Sequence, residues 1–242
     1  EYFIDRFGGK EFFFTYNGRQ ALHYALAHYR LKRKDKVTIL TTTGNFYISR
    51  CVTDEIQKFC NWTRHIEPET KVILVNHEFG YPFESLNNLK ETGIPIIEDC
   101  AHSFFSIDKD KAIGSVGEFV IYSFPKIFPL QIGGLLLSNI HNNQFNKISM
   151  DAESQDYLNR VLSYFLKRKE SIIDQRLINY NILKEKFQLL GFNERFNLDD
   201  GVVPGVFMFS AGLHNIDLPK LKDYYYAHGV QCSVFYGEDS FF

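Results

Sequence analysis

The sequence predicts an α/β protein: a mostly parallel sheet flanked by helices, with a small α/β lobe at its C-terminal end. Three observations carry this expectation. Short β-branched and aliphatic runs at 37–40, 71–76, 94–97 and 118–123 alternate with helical patterns, as buried strands of a parallel sheet do. Each run ends in turn residues, which places polar groups at the strands' carboxyl ends, where open α/β sheets bind ligands. From residue 157 onward the apolar period becomes helical, and shorter strand and helix patterns follow. The expected division is a large domain over 1–165, then a linking helix and small lobe over 166–242.

The first element is an aromatic stretch from Glu11 to Tyr16, followed by Asn17-Gly18 and a helix with Ala21, Leu22, Ala25, Leu26 and Tyr29 on one face. Asn17 is a good N-cap, and Lys32-Arg33-Lys34 marks the stop. Free amides at such a start bind phosphate well, although a capped helix without a ligand has the same pattern. The strand at 37–40 opens into the loop Thr41-Thr-Thr-Gly-Asn-Phe-Tyr47. An amphipathic helix at 52–59 follows, with Trp62 packing nearby, and then the buried strand 71–76 ends at His77. A lone histidine there is more often a hydrogen-bonded structural residue than a catalyst.

The strand at 94–97 leads into Glu98-Asp99-Cys100-Ala101-His102, and the strand at 118–123 into Phe124-Pro125-Lys126, then Gly133-Gly134-Leu-Leu-Leu-Ser138. Asp99 and Lys126 therefore emerge on one edge of the sheet. Pyridoxal phosphate requires this pair: a lysine amine for its aldehyde, and a carboxylate to keep its ring nitrogen protonated. A buried Asp99 needs a cationic partner, unless it merely caps a helix. Lys126 lies among Phe124, Pro125, Ile127, Phe128 and Pro129, apolar neighbours expected to disfavour its ammonium form, and the prolines fix its loop. Ser123 is placed to bind a phosphate through its hydroxyl, and His102 to contact the ring or its phenolic oxygen.

Taken in order, Asn17-Gly-Arg-Gln-Ala-Leu22, Glu98-Asp99-Cys100-Ala101-His102, Gly114-Ser-Val-Gly117, Tyr122-Ser-Phe124, Lys126 and Gly133-Gly134 resemble the core of the DegT/DnrJ/EryC1/StrS aminotransferases, over residues 8–138 and more faintly 172–236. The resemblance implies a fold-type-I transferase that uses pyridoxal 5'-phosphate to aminate a nucleotide-linked keto-sugar. The amino donor would be glutamate and the role surface polysaccharide or glycoconjugate biosynthesis. Gly18 and Arg19 match positions that help hold the cofactor phosphate, and Phe46 or Tyr47 would stack on the pyridine ring. Lys126 rather than histidine argues for transamination over sugar dehydration. A homodimer is implied by the resemblance alone.

The chain departs from the family pattern in three places. The interval from Thr43 to Lys71 is short and reads as lacking a strand. Ser123 and Lys126 stand closer together than usual. No equivalent of the Asn- and Arg-bearing segment through which a neighbouring subunit completes the site is found between Asn139 and Tyr164.

The remaining chain reads as a polar loop over 141–156, two helices or one bent helix over 157–190, and a charge run Lys167-Arg168-Lys169 on a solvated face. A strand at 204–212, a helix capped by Asp217, and a strand at 229–236 complete the lobe. With 242 residues, 45% hydrophobic and 23% charged, the composition is that of an ordinary globular protein. A net charge of −2 gives no general reason to bind nucleic acid or anionic membrane. The apolar runs are too short to span a bilayer and no leader is recognisable, so the expected location is the cytoplasm. The start at Glu1 without Met and the end on Ser240-Phe-Phe242 suggest missing ends. Four scattered cysteines read as reduced core residues, and no cluster has zinc-ligand spacing. The competing reading is a family relative that has lost catalysis and acts as a binding or regulatory protein. A nucleotide-binding α/β enzyme unrelated to pyridoxal chemistry is disfavoured, because no GxGxxG or Walker loop is present.

Overall fold

The computed structural model describes residues 1–45, 47–109, 113–140, 150–211 and 216–234. Its centre is a seven-stranded sheet of β1 (Phe12–Thr15), β2 (Lys36–Thr41), β3 (Asn61–Thr63), β4 (Thr70–Asn76), β5 (Ile96–Asp99), β6 (Phe119–Ser123) and β7 (Gly134–Ser138), in the order β1-β7-β6-β5-β4-β2-β3. Strands β3, β2, β4, β5 and β6 are parallel neighbours; β7 runs antiparallel to both β6 and β1.

Strand alternation explains why both faces are covered. On β4, Val72 and Leu74 face one side and Ile73 and Val75 the other; on β6, Phe119 and Ile121 oppose Val120 and Tyr122. One face packs on α2 (Gly18–His28), through Ala21, Leu22, Ala25 and Leu26, and on α3 (Arg50–Gln57), through Val52 and Ile56. The opposite face, at the β6–β7 end, packs on α1 (Tyr2–Phe7) and α4 (Ala152–Leu166), through Phe3, Phe7, Leu158, Leu162 and Leu166. That core is rich in phenylalanine rings in edge-to-face and tilted contact, such as Phe104 with Phe124 at 5.8 Å.

Several sequence expectations are corrected. The interval after Thr43 does not lack a strand: Asn61–Thr63 is a three-residue edge strand parallel to β2, with Trp62 half-buried, and three residues are too few to carry a periodic signal. Residues 152–156 belong to α4, capped by the Asp151 carboxylate, and not to a loop. The helical run beyond is two helices, α4 and α5 (Lys169–Leu189), meeting at Lys167-Arg168. Of the strand expected at 204–212, among the described residues only β9 (Phe209–Ser210) forms a ladder, with β8 (Asn193–Glu194), and 212 lies outside the described residues. Residues 229–234 form no strand, and 235 and 236 lie outside the described residues. Extended, β-branched sequence makes a strand only where a neighbour accepts its backbone bonds. Helix α6 (Leu218–Ala227) is capped by Asp217 as expected, and buries none of its residues. Cys60 and Cys100 are core thiols, whereas Cys51 and Cys232 are half-buried; all four are free. Among the described residues, no helix is long and apolar enough to cross a membrane.

Candidate active site at the carboxyl ends of the strands

The carboxyl ends of β4, β5 and β6 stand in register: Asp99 is paired with Asn76 on one side and Ile121 on the other. Asp99 is 8% exposed, and burial raises its pKa, opposed by a hydrogen bond from the Ala101 amide and the charges of His77 and Lys126. Its Oδ1 accepts from Ala101 N at 3.0 Å. Among the described residues Oδ2 has no protein donor.

Two residues beyond Ile121 the chain leaves β6 at Ser123 and turns through a short 3-10 helix, Phe124–Lys126. Here one expectation fails. Phe124, Ile127 and Phe128 are buried in the core, while Pro125, Lys126 and Pro129 are exposed. The turn sends its apolar side chains one way and the amine the other, so the lysine's sequence neighbours are not its surroundings. Lys126 nevertheless stands near Asp99 and His102, since its charge bears on both.

The start of α2 meets the same edge. Asn17 Oδ1 accepts from Gln20 N at 2.9 Å, so the amides of Gly18 and Arg19, the first two of the helix, remain available to an outside acceptor. The Arg19 side chain is exposed. Gly18 packs on Ser123: a Cβ there would lie 3.0 Å from Ser123 Cβ and 3.5 Å from its Oγ. Gly134 brings β7 equally close, since its Cβ would sit 2.5 Å from the Asn17 carbonyl carbon. The glycines of both motifs thus permit the helix start to approach the turn that carries Ser123 and Lys126.

His102 is half-buried, edge-on to Phe79 with ring centroids 5.4 Å apart. Burial, with the nearby charges of Lys126 and Arg176, pushes its pKa down to about 4, so the imidazole is neutral at physiological pH. Phe79 itself has φ 56°, the left-handed region. Phe46 lies outside the described residues, and Tyr47 is 63% exposed on the loop after β2. That loop is anchored from below: Arg64 donates to the carbonyls of Ile39 and Asn45, both at 2.8 Å, and Glu78 Oε2 accepts from Thr43 N at 2.9 Å.

Beneath the site lies a network whose role sequence reasoning did not assign. Glu98 is fully buried; Oε2 accepts from His77 Nε2 at 3.1 Å and Gly114 N at 2.7 Å, and Oε1 from Val116 N at 2.9 Å and Gly117 N at 2.7 Å. His77 Nδ1 accepts from Phe83 N at 3.0 Å, which leaves the proton on Nε2. His77 is therefore held as a structural residue. This explains why the acidic pair at 98–99 and the Gly-Ser-Val-Gly turn belong together. The signal was a glutamate in the last turn-side positions of a buried strand with a glycine turn sixteen residues on, as Gly114 shows. His77, Glu98 and Cys100 also place ligand-type atoms within 4.8 Å of one another. The Glu98 acceptors are occupied by N–H groups, and burial pushes the Cys100 thiol well up, so His77 and Glu98 belong to a hydrogen-bonded network beside that thiol.

Residues 60–240 match the model of the DegT/DnrJ/EryC1/StrS aminotransferase family. A GDP-perosamine synthase of Escherichia coli O157:H7 is 29% identical over 148 residues, 51% of this chain and 39% of the relative. The chain thus spans about two-fifths of that relative's length. Among solved structures, the aminotransferase TlmJ of Streptoalloteichus hindustanus superposes with a TM-score of 0.72 at 15% identity, over 97% of this chain and 75% of that one. The sugar aminotransferase CalS13 of Micromonospora echinospora gives 0.71 at 16%, over 96% and 75%. These structures share the fold, that of the fold-type-I pyridoxal-phosphate transferases. With three-quarters of its length matched and the motif residues gathered on one sheet edge, this chain belongs to the DegT/DnrJ/EryC1/StrS aminotransferase family.

Proposed function

We propose that the chain binds pyridoxal 5'-phosphate and transfers an amino group to a nucleotide-linked keto-sugar. The observation that carries the reading is the convergence of a buried carboxylate with one open oxygen, a strand-end lysine, and a helix start packed on a serine. These residues fit the cofactor. Asp99 would accept from its protonated ring nitrogen, and the Gly18 and Arg19 amides with the Ser123 hydroxyl would hold its phosphate. When bound, the cofactor supplies an aldehyde that relays the amino group and a ring that draws electrons from the carbon losing its proton.

Lys126 holds and moves that proton, as base and then as acid, from an exposed turn that leaves its amine free to reach. His102, neutral and packed on Phe79, would flank the ring without adding positive charge to it. Phe46 or Tyr47 would cover the other face. By family analogy the donor is glutamate, the working form is a homodimer, the compartment is the cytoplasm, and the product enters surface polysaccharide or glycoconjugate synthesis. A large cofactor-binding domain over 1–165 and a linker and small lobe over 166–242 complete the proposal.

The test is the visible spectrum of the purified chain with added pyridoxal phosphate, then borohydride reduction and peptide mapping, in wild type and Lys126→Ala. A yellow band trapped on Lys126 and lost in the variant is expected. Absence of the band, or label scattered over surface lysines, overturns the reading.

A further inference from the structure

Arg176 lies on α5, outside the matched motifs, yet reaches the turn that carries Lys126. It is half-buried, and its Nη2 donates to the carbonyl of Ile127, the residue after Lys126, at a long 3.4 Å. Its Nη1 faces Gly205, where a Cβ would come within 3.7 Å. Among the described residues no carboxylate pairs with it, and burial alone acts on its guanidinium, lowering its pKa. A partly desolvated cation with, among the described residues, one weak bond for its five donors is costly to keep unless something anionic meets it.

The neighbourhood identifies the anion. The phosphate end of the site, at Gly18 and Ser123, has its own donors. Arg176 stands by the carbonyl of Ile127, and its charge and that of Lys126 both bear on His102. An amino donor must bring its nitrogen to the place of the Lys126 amine, and the carboxylate of an α-amino acid is attached to the same reacting carbon. A planar guanidinium beside the lysine turn suits that carboxylate in a two-point contact.

We propose that Arg176 holds the α-carboxylate of the amino donor, so that this chain takes its nitrogen from an α-amino acid by a cation of its own helix α5. The assignment rests on the pyridoxal reading above. It is tested by calorimetric titration of the cofactor-loaded chain with 2-oxoglutarate, which has no amino group to give, and separately with GDP, in wild type, Arg176→Gln and Arg176→Lys. Borohydride trapping on Lys126 is run in parallel. Arg176→Gln should weaken 2-oxoglutarate binding by roughly 10- to 100-fold, the range of a lost charge-assisted pair, with partial recovery in Arg176→Lys and no change for GDP. Affinities for 2-oxoglutarate equal within about twofold in wild type and Arg176→Gln, with cofactor trapped on Lys126 in both, overturn the role of Arg176 alone. So does a loss that falls on GDP. Failure to trap the cofactor on wild-type Lys126 overturns the pyridoxal reading and this assignment with it.

Discussion

Replacing Glu98 with glutamine keeps the shape of the side chain and removes one acceptor oxygen. The carboxylate takes four hydrogen bonds, two at each oxygen, from His77, Gly114, Val116 and Gly117, and it is fully buried. In the amide, one oxygen still serves two donors, and the NH2 group faces the other two. His77 offers no relief: taking the proton onto Nδ1 would break its bond from Phe83 N, now 3.0 Å. Two buried donors without acceptors cost about 1–3 kcal/mol each, so the expected loss is about 2–6 kcal/mol. Urea unfolding reads it directly. A loss of about 3 kcal/mol corresponds to a fall in Tm of roughly 6–12 °C for a chain of this size. A change below about 1 kcal/mol would refute the reasoning, because the 114–117 turn would then be held by something other than this carboxylate.

Two further expectations concern the loops around the site. His102 has a folded pKa of about 4 against an ordinary 6.5, so its contribution to stability is complete above 6.5 and is lost as pH falls toward 4. The wild type should lose up to about 3 kcal/mol over that window that His102→Gln does not, and an NMR titration midpoint for His102 near 6.5 would contradict the burial argument. Gly80 has φ 95° and a Cβ there would lie 2.3 Å from the Val203 carbonyl oxygen, so Gly80→Ala must push back the 201–205 segment. Exchange of the Gly205 amide, which donates to Phe79 O at 2.6 Å, should then accelerate by more than about tenfold; unchanged exchange would show that the segment is held elsewhere.

The parts legible in the sequence are those whose cause is local or repeated. Buried strands, the Asn17 cap and the placement of Asp99 and Lys126 at neighbouring strand ends follow from apolar period and turn residues, and the structure has them. The environment of Lys126 was misread because proximity along a chain is not proximity in space: a single 3-10 turn separates its amine from Phe124 and Phe128. The strand expected at 229–236 failed for a related reason, since propensity cannot supply a pairing partner. Arg176 and Arg64 were invisible as site residues because nothing in a lone arginine on a helix or a loop tells where its guanidinium ends. The acceptor role of Glu98 was half visible, in two motifs whose connection only the hydrogen bonds reveal.

Pairing of β1 with β7 matches Thr15 with Gly134 and Phe12 with Leu137, and Gly133 N donates to Tyr16 O at 2.7 Å. The helix start that follows β1 is therefore set in place by residues made far later in synthesis. At roughly 5–20 residues per second, about 120 residues of translation leave the first strand without its neighbour for some 6–24 s. Phe3, Phe7, Phe12 and Phe14, which pack together in the finished core, lack during that interval the later residues Phe124 and Leu135 that share it. The close approach of the α2 start to the turn at Ser123 is thus completed only once Ser138 has left the ribosome.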